Sequence, residues 1–101
     1  MINISSENLA IVRHILKKHL PAVEVRAFGS RISDSNQPYS DLDLLIVTDQ
    51  PIPLKTMAEL KFDFEESDLP FRVDLVNWQR ISNEFRKEIE KRNEVILNKR
   101  E

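Results

Sequence analysis

The sequence predicts a small mixed α/β (α+β) domain in which helices flank one β-sheet, and three observations lead there. Amphipathic segments of helical period alternate with short runs of aliphatic and β-branched residues. Pro-rich and polar turn clusters separate those segments. A length of 101 residues with 41% apolar content suffices for one core and leaves no room for a second domain. Residues 1–101 are therefore expected to form a single domain of order α-β-β-α-β-α.

Ser5 or Ser6 can cap a first helix that runs to about His19 or Leu20. Leu9, Val12, Ile15, Leu16 and Leu20 form its apolar stripe, and Pro21 stops it. Val23 to Phe28 then reads as a strand that delivers the chain to Gly29, the only glycine. Arg31 to Ser40 is polar and turn-rich, a loop that can open with a short helical turn. Asp41 to Thr48, with Leu42, Leu44, Leu45, Ile46 and Val47, is most simply a buried strand. Pro51 and Pro53 break the chain before an amphipathic helix from Leu54 to about Ser67, whose expected inner positions are Leu54, Met57, Ala58, Leu60 and Phe64. Asp68-Leu69-Pro70 turns into a strand from Phe71 to Asn77. A last helix is expected from Ser82 to about Asn98, with Phe85, Ile89 and Ile96 as its stripe.

Composition narrows the function classes. There is no cysteine, so disulfides and thiolate zinc sites are excluded and a cytoplasmic location is the natural expectation. No signal peptide or membrane span is visible; the longest apolar run is Leu44 to Val47. A net charge of −2 with 32% charged residues of both signs argues against a chain-wide nucleic-acid footprint.

The chemistry concentrates in three acids. Asp41 and Asp43 open an apolar strand, and Asp74 sits inside the run Phe71-Arg72-Val73-Asp74-Leu75-Val76. Ionised carboxylates in such surroundings cost about several kcal/mol unless something compensates them. Alternation along a strand puts Asp41 and Asp43 on one face, about 7 Å apart. Two carboxylates so placed can share a divalent cation, and Mg²⁺ is a hard ion that favours carboxylate and phosphate oxygens. Separated from Asp41 by ten residues, Gly29-Ser30 forms a corner where backbone amides and the Ser30 hydroxyl can approach phosphate, with Arg31 the nearest cation.

Gly29-Ser30, ten intervening residues, Asp41-Leu42-Asp43 and the later Asp74 resemble the signature of the polymerase-beta-like nucleotidyltransferase superfamily. Ala27-Phe28-Gly29-Ser30-Arg31 and Tyr39-Ser40-Asp41-Leu42-Asp43-Leu44 resemble its minimal nucleotidyltransferase group more narrowly, over nearly the whole chain. The resemblance implies transfer of a nucleoside monophosphate, AMP from ATP, to an acceptor hydroxyl. It also implies a small helical HEPN-type partner whose tyrosine is that acceptor, in a toxin–antitoxin pair. Asp41, Asp43 and Asp74 would hold two Mg²⁺ ions, with Mn²⁺ as a substitute, and Gly29, Ser30 and Arg31 would contact the triphosphate. One departure weakens the match: Ser33 and Asp34 stand where relatives often carry a basic residue and a glycine. Either nucleotide affinity is weaker for it, or Arg26, Arg31 or Arg72 supplies the missing positive charge.

Competing readings remain at this level. A non-catalytic module that neutralises its partner by occlusion would also need a binding surface, and nucleotide addition to an RNA end or a small aminoglycoside-like acceptor would use the same site. Ser30 lacks the Gly-x-Ser-x-Gly elbow of an acyl-transfer nucleophile. His14 and His19 are five apart and do not share a helix face as a metal pair. Tyr39 and Trp78 read as packing aromatics.

Overall fold

The computed structural model describes residues 2–32 and 40–99. Helix α1 spans Ser6–His19, strand β1 Glu24–Phe28, β2 Leu42–Val47, helix α2 Leu54–Glu65, β3 Val73–Asn77, α3 Asn83–Lys91 and β4 Glu94–Leu97. Single 3₁₀ turns follow β1 at Gly29–Ile32 and β3 at Trp78–Arg80. The expected order holds, with a fourth strand added at its end.

Local chemistry sets the helix boundaries. The Ser5 side chain accepts from the Asn8 amide and the Ser82 side chain from the Phe85 amide, so both outer helices begin on a serine cap. Lys17, Lys18 and His19 fill the last turn of α1, where positive charge opposes the helix dipole. In α2 the packing falls to Leu60 and Phe64, whereas Leu54, expected to face inward, is 78% exposed and Ala58 is exposed as well. Leu54 follows Pro53 at the helix start, before the inner face of α2 has reached the core.

The last helix also departs from expectation. It stops at Lys91 rather than near Asn98, because Arg92 turns extended (φ −156°, ψ 109°) and the Asn93 side-chain amide donates to the Ile89 carbonyl at 2.9 Å. Glu94–Leu97 then pairs antiparallel with β1, Val25 opposite Leu97 and Ala27 opposite Glu94. Ile96, read as part of a helical stripe, is buried on this strand.

The sheet order is β3-β2-β1-β4. β1 runs antiparallel to both neighbours, while β2 and β3 are parallel, which obliges the chain to cross over through α2 between them. One sheet face carries Val25, Ala27, Leu42, Leu44 and Ile46, all inaccessible, in a cluster with Val12, Ile15 and Leu16 of α1 and Leu60 and Phe64 of α2. The other face carries Arg26, Phe28, Asp43 and Asp74. Helix α3 covers only part of it: Phe85 meets Phe28 edge-on at 5.7 Å, and Arg26 donates to Asn93 at 2.7 Å.

Leu97 is fully buried although it lies in the segment expected to be helix. Leu97→Ala should therefore destabilise the protein by about 2–5 kcal/mol in urea denaturation. A loss below about 1 kcal/mol would mean that β4 is dispensable to the core.

Candidate active site

The site grows out of strand register. Phe28 pairs with Asp43 across the antiparallel β1–β2 ladder, and Asp74 pairs with Asp43 across the parallel β2–β3 ladder. Register partners project to the same side, so Asp43 stands between Phe28 and Asp74 on the incompletely covered face. Asp41 lies just before β2, where the Leu42 amide donates to the Arg72 carbonyl at 2.8 Å and closes the start of the parallel ladder. The three acids singled out from the sequence thus come from two adjoining strand starts.

Their proximity shows in the ionisation of Asp43. Its carboxyl is raised to about 6, first by partial burial and then by the negative charges of Asp74 and Asp41. Asp41 is half-exposed and Asp74 exposed, so the third and fourth sides of the group face solvent. Among the described residues, no three or more His, Cys, Asp or Glu side chains are gathered closely enough to hold a metal ion as they stand. The acids are near enough to repel one another and open enough to admit a ligand between them.

Gly29 is fixed by the same geometry. Its φ is +80°, a left-handed conformation that side chains seldom adopt, and a Cβ built there would collide with Oδ2 of Asp43 and lie 3.2 Å from its Cγ. The only glycine in the chain therefore stands where a backbone must pass against a carboxylate. Ser30 follows it in the 3₁₀ turn, partly exposed.

Arg31 takes a place the sequence reading did not foresee. It is 6% exposed; its Nε donates to the Ser40 carbonyl and its Nη1 to the Asn3 carbonyl, each at 3.0 Å, and the guanidinium lies 4.3 Å over the Phe71 ring. The Asn3 amide donates back to the Arg31 carbonyl at 2.7 Å. The side chain braces the residue before Asp41 against the residues that lead into β3. No local pattern separates such a brace from a phosphate ligand, since Phe71 lies far along the chain.

Of the other two arginines considered as replacement charge, Arg26 is held by Glu24 and Asn93, each at 2.7 Å. Arg72 is 88% exposed and its Nη2 lies 3.5 Å from Oδ2 of Asp41. It is the cation of the three that is exposed beside the acids. Ser33, Asp34 and Tyr39 lie outside the described residues.

A cavity of about 800 Å³ opens beside the acids, along β3 and the end of α2. Asp41 and Asp74 line it together with Lys61, Phe64, Leu69, Phe71 and Arg72. The histidines have other employment: His14 is exposed, and Nε2 of His19 meets Oδ2 of Asp63 at 2.5 Å, joining α1 to α2. That contact, with a further hydrogen bond from Lys18, holds the Asp63 carboxyl below its ordinary range. Trp78 accepts two hydrogen bonds at its carbonyl from Arg86, whose guanidinium also covers its ring at 4.6 Å, a packing role.

Comparison with known proteins concerns the fold and the family. The family described as "Polymerase beta, Nucleotidyltransferase" matches residues 11–101. A Haemophilus influenzae protein named "Probable protein adenylyltransferase MntA" is 46% identical over 98 residues, which is 97% of this chain and 86% of that protein. Among solved structures, a toxin–antitoxin complex with AMP-PNP superposes with a TM-score of 0.73 at 20% identity, covering 90% of this chain and 73% of that one. A tri-AMPylated Shewanella oneidensis HEPN toxin in complex with its MNT antitoxin gives 0.69 at 20% identity, covering 94% and 73%. These likenesses establish a shared fold. No helix among the described residues is long and apolar enough to cross a membrane.

Two expectations follow from the geometry. Asp43→Asn should stabilise the metal-free protein, because a carboxyl raised from 3.8 to about 6 penalises the folded state once the unfolded chain is ionised. The gain should be absent below pH 3.8, grow between pH 3.8 and about 6, and stay constant above that. After discounting for solvent screening at this half-open site it amounts to about 1–2 kcal/mol, read as a pH series of thermal midpoints. A mutant no more stable than wild type at pH 8 would contradict the crowding of charge. Gly29→Ala should cost at least about 1 kcal/mol, because the new methyl group meets both an unfavourable φ and the Asp43 carboxylate. Equal denaturation midpoints for Gly29→Ala and wild type would refute that collision.

Proposed function

Because this chain belongs to the polymerase beta nucleotidyltransferase family, we propose that it transfers AMP from ATP to a tyrosine hydroxyl of a HEPN-type partner protein and so acts as that partner's antitoxin. The observation that carries the proposal is the position of Asp43, flanked in register by Asp74, preceded two residues earlier by the charge of Asp41, and pressed against the glycine corner. The relative named as a protein adenylyltransferase supports the reaction, and the AMPylated HEPN toxin found beside an antitoxin of the same fold supports the acceptor.

The donor set suits hard divalent ions: three carboxylates offer only oxygens, and their mutual repulsion, evident at Asp43, is relieved by a cation. In this reading Asp41, Asp43 and Asp74 would hold Mg²⁺, or Mn²⁺ in its place, which supplies neutralisation of the triphosphate and a lower pKa for the acceptor hydroxyl. The chain's own residues do the remainder. Gly29 clears the space in which backbone amides can reach the β- and γ-phosphates, and the Ser30 hydroxyl donates to them. Arg72, exposed beside Asp41, supplies the positive charge near the phosphates that Ser33 and Asp34 do not. Arg31 acts as a positioning residue, fixing the approaches to Asp41 and β3 from inside. Asp74, the most open of the acids, stands at the sheet edge where the acceptor proton can pass to its carboxylate and on to water. A cytoplasmic setting and a single catalytic domain complete the proposal.

The test is incubation with ATP, Mg²⁺ and the HEPN-type partner, followed by intact-mass measurement of both proteins. The partner should gain AMP increments, and Asp41→Asn or Asp43→Asn should reduce that gain by about 10²-fold or more while the two proteins still co-elute. If either variant protects against the partner as well as wild type, occlusion rather than transfer is the activity.

A further inference from the structure

The glycine corner is held on one side by a segment that belongs to no helix or strand. On the β4 side of β1 the ladder ends where Ala27 meets Glu94, two residues short of Gly29. β1 itself runs on to Phe28 and passes into the 3₁₀ turn Gly29–Ile32. Residues 2–4, which lead into α1, take over from β4 at that point. The Ile2 amide donates to Oε2 of Glu94 at 2.7 Å, and the Asn3 amide donates to the Arg31 carbonyl at 2.7 Å. Arg31 answers with its side chain, Nη1 donating to the Asn3 carbonyl at 3.0 Å. Both backbone groups of Asn3 are therefore bonded to the residue that follows Gly29-Ser30.

This segment has little freedom of its own. Beyond it Ser5 caps α1, accepting from the Asn8 amide at 3.1 Å, and α1 is packed on the core through Val12, Ile15 and Leu16. Ile2 and Ile4 are partly buried against the same core. Residues 2–4 are thus a short tie between Glu94 and the cap of α1. Gly29, at a φ of +80° and without a side chain, cannot anchor itself, so the restraint on the corner comes from its neighbours. Arg31 carries that restraint further, its Nε donating to the carbonyl of Ser40, next to Asp41, at 3.0 Å.

We infer that residues 2–4 are a positioning segment for the nucleotide: Asn3 acting through Arg31, and Ile2 through Glu94, hold the Gly29-Ser30 corner in its binding conformation before the triphosphate arrives. The inference rests on the assignment of the phosphates to that corner in the function proposed above. A corner without the tie would have to be ordered during binding, and affinity would fall by the cost of ordering it.

The test is calorimetric titration of the full chain with AMP-PNP and Mg²⁺, well below the thermal midpoint of every variant. Asn3→Pro removes the amide that bonds to Arg31, and Glu94→Ala removes the acceptor of the Ile2 amide. Each should weaken AMP-PNP binding about fivefold or more, the equivalent of one ordinary hydrogen bond. Glu94→Gln, whose amide oxygen still accepts from Ile2, should bind within about twofold of wild type. His19→Ala, which breaks the contact of α1 with Asp63 of α2, should lower the thermal midpoint and leave the affinity unchanged. Affinities of Asn3→Pro and Glu94→Ala that stay within about twofold of wild type would overturn the inference. So would a loss in Glu94→Gln or His19→Ala equal to that in Glu94→Ala, since weakened stability would then account for the effect. Failure of the nucleotide reading looks different: wild type would bind no AMP-PNP, and both readings would fall together.

Discussion

Parallel pairing of β2 with β3 in one register is the constraint on which the rest of the molecule depends. It sets Asp43 beside Asp74 on one face and Leu44 beside Leu75 on the other. A slip of one residue would exchange the faces, sending Asp74 toward the apolar cluster and Leu75 toward the acids. The hydrophobic core and the acidic group are thus specified by the same hydrogen-bonded ladder. Helix α2, required for a parallel crossover, contributes Leu60 and Phe64 to the core and part of a cavity wall beside the acids.

Electrostatics then distinguishes the residues that build the site from those that act in it. The Asp43 carboxyl is raised because it combines burial with two like-charged neighbours. The nearest basic residue in sequence to the glycine corner, Arg31, is withdrawn into the protein and committed to backbone carbonyls and an aromatic face. Arg72, more distant in sequence, is the one left exposed beside Asp41. Proximity along the chain therefore does not tell which guanidinium is exposed. A guanidinium stacked on an aromatic ring and bonded to carbonyls at both ends is a strut, and one kept in solvent is a candidate ligand.

Much of this was legible in the sequence because the relevant signals are local. Ser5 and Ser82 precede their helices as caps, Gly29 marks a backbone conformation that other residues resist, and Asp41, Asp43 and Asp74 are conspicuous in otherwise apolar strands. What escaped depends on partners remote in sequence. Ile89 and Ile96 fit one helical stripe, and only the open edge of β1 turns Glu94–Leu97 into a strand. Arg31 is internal because Phe71 lies beneath it, a contact that no window around Gly29 can reveal. Leu54 has the hydrophobicity of an inner residue but sits in the first turn of α2, where the helix has not yet reached the core.

The strand order has a consequence for synthesis. β1 acquires its second neighbour only when β4 arrives, and that ladder joins residues as distant as Val25 and Leu97. Non-local pairing of this kind carries a loop-closure cost that local contacts do not. A nascent polypeptide halted before Leu97 would already contain every acid and the glycine, yet it would lack the flank that steadies the corner strand. Loss of β4 would thus leave the signature in place without the second neighbour of the strand that ends at the glycine corner.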